Sequence, residues 1–175
     1  MGSLGTTAPA PTKISPPPQP GPVPDPSPHT PINNRTAQEI IAALNLIPHV
    51  EGGYYTQTFR DPAHVATTTT TTTTTTTNSL SPYPRPASTQ IYYLLEGASG
   101  HSRWHRVTDA AEVWHWYAGA PLVLSLARDD GSPVREAVLG PDVFRGQRPQ
   151  AVVARGEWQR ARSLGEWTLV GATGR

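Results

Sequence analysis

Residues 103–119 read RWHRVTDAAEVWHWYAG, and this stretch decides the fold. It holds two runs rich in aromatic and β-branched residues, separated by a short polar turn. Runs of this kind, bounded by turn residues, indicate paired β-strands. Similar short runs continue to residue 172 with Gly- and Asp-containing turns between them, and no helical period appears among them. The sequence therefore predicts an all-β sandwich or barrel, and a jelly-roll barrel is one such solution.

The same pattern, followed outward from this stretch, predicts further strands on both sides. The first predicted strand is separated from the next by a long interval, and the remaining predicted strands follow each other closely along the chain. The predicted strands are Tyr54–Arg60, Ser88–Leu95, Ser102–Val107, Glu112–Tyr117, Pro121–Ala127, Val134–Leu139, Ala151–Ala154, Trp158–Ser163 and Trp167–Ala172.

One short helix is predicted before the first strand. Thr36 and Glu39 have the spacing of a capping box, in which each side chain bonds the other residue's backbone N–H. Apolar residues recur at helical spacing from residue 40 to residue 47, and Pro48 cannot continue a helix. We therefore expect one amphipathic helix over residues 37–47.

Two segments have compositions that do not predict a packed core. Eleven of the 20 prolines lie between Pro9 and Pro31, so residues 1–34 are predicted to be a disordered Pro-rich tail in polyproline II conformation. We expect an untethered tail, and a spacer or a ligand for a Pro-binding partner is the alternative. Thr67–Thr77 is a run of 11 threonines, and residues 66–86 are interpreted as a low-complexity surface insertion. Residues 35–175 then form a single domain.

Composition excludes several classes of protein. The chain has no cysteine, which excludes a disulfide scaffold and a Cys-based zinc site. Its formal net charge is +1 and no basic stripe stands out, so no nucleic-acid partner is expected. The sequence shows neither a signal peptide nor an apolar run long enough to span a bilayer. We therefore expect a cytoplasmic protein that does not bind membranes.

The first candidate for chemistry is the pair His105 and Glu112. These residues lie on adjacent predicted strands, so pairing of the strands can bring the imidazole and the carboxylate together. Such a pair is either half of a metal site or an acid–base pair. A purely structural hydrogen bond at the rim of the barrel is the equally weighted alternative.

These residues also carry a resemblance to a known family. Glu112 and Gly119, preceded by Trp104 and His105, resemble the first cupin motif, and residues 154–159, ARGEWQ, resemble the second. Most of residues 36–172 is similar to a small single-domain cupin family sometimes labelled predicted sugar epimerases. The matching blocks are residues 47–55 (IPHVEGGYY), 91–95 (IYYLL), 104–106 (WHR), 112–119 (EVWHWYAG) and 146–150 (GQRPQ).

The chain departs from the metal-binding members of that superfamily at two ligand positions. Arg103 stands where the first metal His is expected, and Gln159 stands where the last one is expected. Arginine has no lone pair to offer a metal, so no metal and no other cofactor is predicted. His101 is the alternative third ligand if a metal does bind.

The resemblance implies an organic ligand in the barrel instead of a metal. We expect a small-molecule-binding protein whose ligand is a sugar or a nucleotide-like molecule, because aromatic walls with a few polar groups are typical of such sites. The predicted ligand-binding residues are Tyr54, Arg60, Arg103, Trp114, Trp116 and Gln159. A carbohydrate epimerase or isomerase is the first alternative, with His105 polarised by Glu112 and Tyr93 returning the proton. A metal-dependent oxygenase is the second.

The resemblance also implies a homodimer and further sequence after the last matching block. Because this chain stops at Arg175, we expect a truncated product in which one edge of the barrel is open.

Overall fold

Two main antiparallel β-sheets, two small two-stranded ladders and one short helix make up the described structure. The computed structural model describes residues 30–65 and 85–174, together with the backbone of residues 68–69 and 79–80. Its helix α1 spans Ala37–Ala43. Its strands are β1 (Ile47–Pro48), β2 (Tyr54–Arg60), β3 (His64–Val65), β4 (Thr68–Thr69), β5 (Ser79–Leu80), β6 (Arg85–Pro86), β7 (Thr89–Glu96), β8 (His105–Arg106), β9 (Glu112–Gly119), β10 (Leu122–Ala127), β11 (Arg135–Leu139), β12 (Gln150–Val153), β13 (Trp158–Ser163) and β14 (Trp167–Gly174).

The larger sheet has six strands in the order β1-β2-β7-β14-β9-β12, and the smaller sheet has four in the order β11-β10-β13-β8. Their facing sides meet in a core that contains Leu124, Leu139 and Val170, all fully buried. Among the described residues the two sheets stay open and do not close into a barrel. The mostly-β prediction is confirmed, and the architecture is a double-sheet jelly roll.

The helix begins as predicted but ends earlier. Thr36 accepts a hydrogen bond from the backbone N–H of Glu39, and the Glu39 carboxylate accepts from the backbone N–H of Thr36, so the capping box is confirmed. The last turn closes because Asn45 adopts a left-handed conformation (φ 53°) and Leu46 N–H bonds the Ile41 carbonyl. This is a Schellman cap, which ends the helix at residue 43 instead of residue 47.

The helix covers part of the outer side of the larger sheet. Ile40 packs there with Leu94, Leu169 and Trp167 in a second apolar cluster. The segment in front of the helix also contacts the sheet, because the Asn33 side chain accepts from the N–H of Gly119. Residues 30–34, assigned to the tail from composition, are therefore attached to the domain.

The two low-complexity segments fall largely outside the described residues. This holds for residues 1–29 of the predicted tail and for most of the predicted insertion at residues 66–86. Where the insertion is described, β4 pairs with β5, and β3 pairs with β6 at its base. The described parts of this segment therefore lie in two-stranded ladders separate from the two main sheets.

Strand β14 does not lie at an edge. It pairs with β7 on one side and with β9 on the other, and β1 and β12 are the outer strands of the larger sheet. Strand β14 is therefore an inner strand, and the open edges of the two main sheets lie at β1, β12, β11 and β8. The expected truncation of the chain stays a prediction.

Candidate functional site

A cavity of about 170 Å³ opens between the two sheets, beside the first residues of β8, β9 and β13. Strands β7, β9 and β14 form one wall, and β8 with the β1–β2 loop forms the other. The lining side chains are His49, Glu51, Ile91, Tyr93, His105, Val107, Glu112, Trp114 and Ala172.

A hydrogen-bonded group of three side chains forms the innermost part of this site. Glu112 Oε2 accepts from Gln159 Nε2 at 2.6 Å and from Trp114 Nε1 at 3.1 Å. The same indole N–H lies 2.9 Å from Gln159 Oε1. Gln159 and Trp114 are both buried, so their polar atoms depend on each other and on Glu112. No described residue bonds the other oxygen of Glu112, which leaves Oε1 as a free acceptor.

His105 is held by two oxygen atoms on the same ring nitrogen. Its Nδ1 lies 3.1 Å from the carbonyl oxygen of Arg103 and 3.2 Å from Glu51 Oε2. Both are acceptors, so Nδ1 carries a hydrogen, and in neutral imidazole the lone pair is then on Nε2. The carboxylate that contacts His105 is Glu51 and not the predicted Glu112, because Glu112 is bonded to Trp114 and Gln159.

A tight turn brings Glu51 and His49 to the cavity. His49 and Gly53 are bridged by a backbone hydrogen bond of 2.9 Å, and Gly52 N–H bonds the His49 carbonyl. Gly53 has a φ of 68°, and a Cβ there would lie 2.4 Å from the Leu94 carbonyl oxygen. Only glycine fits this close approach of the loop to β7.

His49 has the opposite hydrogen-bonding arrangement to His105. Its Nδ1 accepts from the backbone N–H of Glu51 at 3.2 Å. Burial lowers the pKa of His49, and the nearby His105 lowers it further, while Glu51 and Glu112 act in the other direction. His49 is therefore favoured in the neutral form, with its hydrogen on Nε2.

Tyr93 is a wall of the cavity with its hydroxyl already engaged. The hydroxyl donates to the carbonyl oxygen of Gly52 at 2.8 Å. Burial raises the pKa of Tyr93 well above its usual range, and the Glu51 carboxylate adds to this effect. Its ring packs edge-on against Trp114, with centroids 5.8 Å apart. A phenol in this state keeps its proton, which does not favour the predicted role of Tyr93 as a proton donor to the ligand.

The structure brings together His105, Glu112, Trp114, Gln159 and Tyr93, but it does not bring the other predicted residues to the cavity. Tyr54 pairs with Leu94 and packs with it against α1, because antiparallel partners share a face. Arg60 is exposed at the end of β2.

Trp116 and Arg103 also lie away from the cavity, for different reasons. Trp116 shares the inner face of β9 with Trp114 but lies two residues further along, and it donates its indole N–H to the Ala120 carbonyl. Arg103 precedes β8, which begins only at His105, and its side chain is exposed. Arg103 contributes main-chain atoms instead: its N–H bonds the Glu51 carbonyl at 2.7 Å, and its carbonyl accepts from His105.

The donor set does not fit a metal ion. Within residues 30–65 and 85–174, no group of three or more His, Asp or Glu side chains has an arrangement that could hold one. His101, the alternative third ligand, is exposed and pairs through its backbone with Arg162. Gln159, at the position of an expected ligand, is bonded to Glu112 and Trp114.

Sequence reasoning did not select His49 and Glu51. They lie about 50 residues before His105 in the chain, and no periodicity joins the two segments. The signal that could have found them is the Gly52-Gly53 pair, which indicates close backbone approach and therefore a loop with a fixed position beside the sheet.

The fold and the cavity define this chain as a two-sheet jelly-roll protein with a His- and Glu-lined internal pocket. The family model described as "Cupin superfamily (DUF985)" matches residues 38–174. The chain belongs to this cupin family.

Two solved structures resemble the chain over most of its length. A hypothetical protein from Leishmania major is 27% identical with a TM-score of 0.65, and 79% of this chain and 80% of that chain are covered. A protein from Shewanella oneidensis is 30% identical with a TM-score of 0.63, and the coverage is 79% and 77%. The comparison with curated proteins gives no match. In the part of the chain that the structure describes, no helix combines the length and the apolar character needed to cross a membrane.

Proposed function

We propose that the cavity binds a small, uncharged, polar organic molecule of about the size of a monosaccharide. The observation that carries this proposal is the convergence of His49, Glu51, His105 and Glu112 on one cavity with Tyr93 and Trp114 as its walls. A few directed polar groups on an aromatic wall are typical of small-molecule sites.

The volume of the cavity limits the size of this ligand. A cavity of about 170 Å³ holds about six water molecules at ~30 Å³ each. One sugar ring is of this order, whereas pockets for larger ligands start at about 300 Å³. The size therefore favours a single sugar over the nucleotide-like ligand that the sequence suggested as an equal option.

The charges at the cavity limit the chemistry of the ligand. Two carboxylates, Glu51 and Glu112, line it, and none of its lining residues is Arg or Lys. An anionic ligand would be repelled there. Placing like charges next to each other at a protein interface costs several kcal/mol, and a partly desolvated cavity has a cost of the same order. Phosphorylated sugars and nucleotide sugars are therefore disfavoured relative to free sugars.

Calorimetric titration of the full chain with free pentoses and hexoses, and with their phosphate esters, tests the proposal. We expect the free sugars to bind and the phosphate esters to bind at least about tenfold more weakly. Glu112→Gln should lower sugar affinity about tenfold, since one charge-assisted hydrogen bond is worth ~1.5 kcal/mol or more.

Glu136→Gln is the matched control for this variant. Glu136 is an exposed residue of the smaller sheet that bonds Ser125 outside the cavity, so affinity should stay at the wild-type value. Absence of binding by every sugar, or equal affinity of the two variants, would contradict the proposal.

A carbohydrate epimerase or isomerase is the second candidate function. It is favoured by the contact of His105 Nδ1 with the Glu51 carboxylate, because an imidazole held in this way can remove a proton next to a carbonyl group. Uptake of deuterium from solvent by the bound sugar distinguishes the two candidates, since a binding protein causes no exchange. The metal-dependent oxygenase is not supported by the donor set of the described residues.

A further inference from the structure

The two histidines that line the cavity are held through Nδ1 in opposite ways. His105 donates through Nδ1 toward Arg103 and Glu51, which leaves a lone pair on its Nε2. His49 accepts through Nδ1 from the Glu51 backbone, which leaves a hydrogen on its Nε2. Glu51 therefore fixes both rings, one through its carboxylate and the other through its N–H. In its neutral state the site offers one base and one donor.

We infer that this pair interconverts an aldose and the corresponding ketose by moving a proton between adjacent carbon atoms. The inference rests on the proposed binding of an uncharged sugar at this cavity. It names the substrate class, a free α-hydroxy aldehyde or ketone, and it assigns a role to His49 and Glu51.

The steps balance without any oxidant or cofactor. His105 Nε2 takes the proton from the hydroxyl-bearing carbon, and the electrons of that C–H bond form the C=C bond of an enediol. The carbonyl oxygen takes the proton of His49 Nε2. The neighbouring hydroxyl then returns a proton to His49 as its oxygen becomes the new carbonyl. His105 delivers its proton to the former carbonyl carbon.

A neutral imidazole is suited to the role assigned to His49. Triosephosphate isomerase, which forms an enediol, uses a neutral histidine with a lowered pKa to polarise the substrate carbonyl. Burial has the corresponding effect on the pKa of His49. Glu51 acts as a positioning residue, because it holds the hydrogen of His105 on Nδ1 and stabilises the imidazolium that forms during the reaction.

The geometry favours isomerisation over epimerisation. Inversion at one carbon needs a second base on the opposite face of the sugar. The Tyr93 hydroxyl bonds the Gly52 carbonyl, and His49 Nδ1 is occupied by the Glu51 N–H. Glu112 is the remaining carboxylate, and hydrogen bonds from Trp114 and Gln159 hold its Oε2 in place.

Proton and carbon NMR of the full chain with sugars in D₂O tests the inference. The probes are glyceraldehyde, ribose and glucose, together with the ketoses dihydroxyacetone, ribulose and fructose. We expect an aldose to yield its ketose with deuterium on the former carbonyl carbon. His105→Gln should lower this rate at least 100-fold, as for loss of a general base. Glu136→Gln should leave it unchanged.

Glu51→Gln should lower kcat about tenfold with sugar affinity nearly unchanged, because the imidazolium that forms in the reaction loses its charge partner, and Glu51→Asp, which keeps the carboxylate, should restore part of the rate. A merely structural role for Glu51 would lower affinity and rate together. Sugar affinity is measured by calorimetry in every variant, so that an unfolded variant is not mistaken for an inactive one.

The possible outcomes separate this inference from the proposed function. Sugar that binds without exchanging deuterium overturns the inference and leaves the binding function intact. Failure of all sugars to bind overturns the proposed function. An epimer in place of a ketose overturns the assignment of a single base, and unchanged exchange in His105→Gln overturns the assignment of that base.

Discussion

Strands β10 and β13 are neighbours in the smaller sheet and face the same interior, yet their inward side chains differ. β10 contributes Leu122, Leu124 and Leu126, and β13 contributes Gln159, Ala161 and Ser163. Leu126 and Gln159 are direct partners in the ladder, and both are almost completely buried. The leucines are stabilised by burial alone at ~1.5–3 kcal/mol each. Gln159 is tolerated only because Glu112 and Trp114 satisfy its amide.

The comparison shows how one interior can contain both a core and a candidate site. The inward residues of β10 fill space and specify the packing. Gln159 on β13 instead holds a carboxylate in place, and the register sets His105 opposite it on β8. A substitution on β10 should therefore change stability, whereas one at Gln159 should change stability and the site together.

The largest effect is expected for Leu124→Ala, which tests the β10 side of the comparison. Leu124 is fully buried, and removing the three side-chain carbon atoms by which Leu exceeds Ala from a core costs ~2–5 kcal/mol. Urea unfolding should show a lower midpoint with an unchanged slope. Sugar affinity of the folded fraction should stay at the wild-type value. A loss of stability below ~1 kcal/mol would show that this strand is not the packed side of the interior.

A smaller effect is expected for Gln159→Leu, which makes β13 resemble β10 at one position. The variant leaves Glu112 with Trp114 as its single described donor, and an undersatisfied buried polar group costs ~1–3 kcal/mol. Sugar binding should be lost as well. Leu126→Met on the adjacent strand is the control, with a cost below ~1.5 kcal/mol and normal binding. A more stable Gln159→Leu variant that still binds sugar would remove the distinction between the two strands.

Thr36→Ala should have an effect of ~1 kcal/mol, because it removes the N-cap of a helix that lies outside both inner faces. The thermal midpoint should fall, and amide exchange should accelerate first in α1. Ser99→Ala, at an exposed position in a turn, should leave both unchanged. Altered sugar affinity in Thr36→Ala would link the helix to the cavity and contradict the separation described above.

The smallest effect is a pH dependence from His49. Its folded pKa is lowered by burial, so the unfolded chain binds more protons at acid pH. This contribution to stability is present above the unfolded value of about 6.5 and is lost as the pH falls below it. Denaturant unfolding at pH 7.5 and at pH 5.5 should therefore show a smaller loss for His49→Gln than for the wild type. An identical loss of stability in both proteins would show that a group other than His49 causes the pH dependence.

Local pattern predicted most of the secondary structure. β2 and β13 have the predicted bounds, and the capping box placed the start of α1 correctly. The end of the helix was wrong because Asn45 adopts a left-handed cap, which the apolar period does not reveal. The short length of β8 was also not predicted. Residues 102–104 have a composition compatible with a strand, but their backbone hydrogen bonds do not form a regular strand ladder.

The site was predictable only where its residues lie on regular strands. Alternation on β9 placed Glu112 and Trp114 on one face, and the resemblance of residues 154–159 to a cupin motif placed Gln159 near them; in the structure the three side chains are hydrogen-bonded to one another. Tyr54 was predicted as an aromatic wall of the cavity. Tyr54 and Tyr55 lie on opposite faces of β2, and only the pairing with β7 decides which one points inward. The contact of Glu51 with His105 depends on a loop held by long-range backbone bonds, which no local pattern encodes.

The central place of β14 has a consequence during synthesis. Its partners β7 and β9 leave the ribosome about 70 and about 50 residues earlier, and each then has an unpaired edge where β14 will later insert. Such edges are sites of misassociation between nascent chains. The larger sheet is therefore completed only when β14 has emerged, and until then β7 and β9 each have an edge that can pair with another chain.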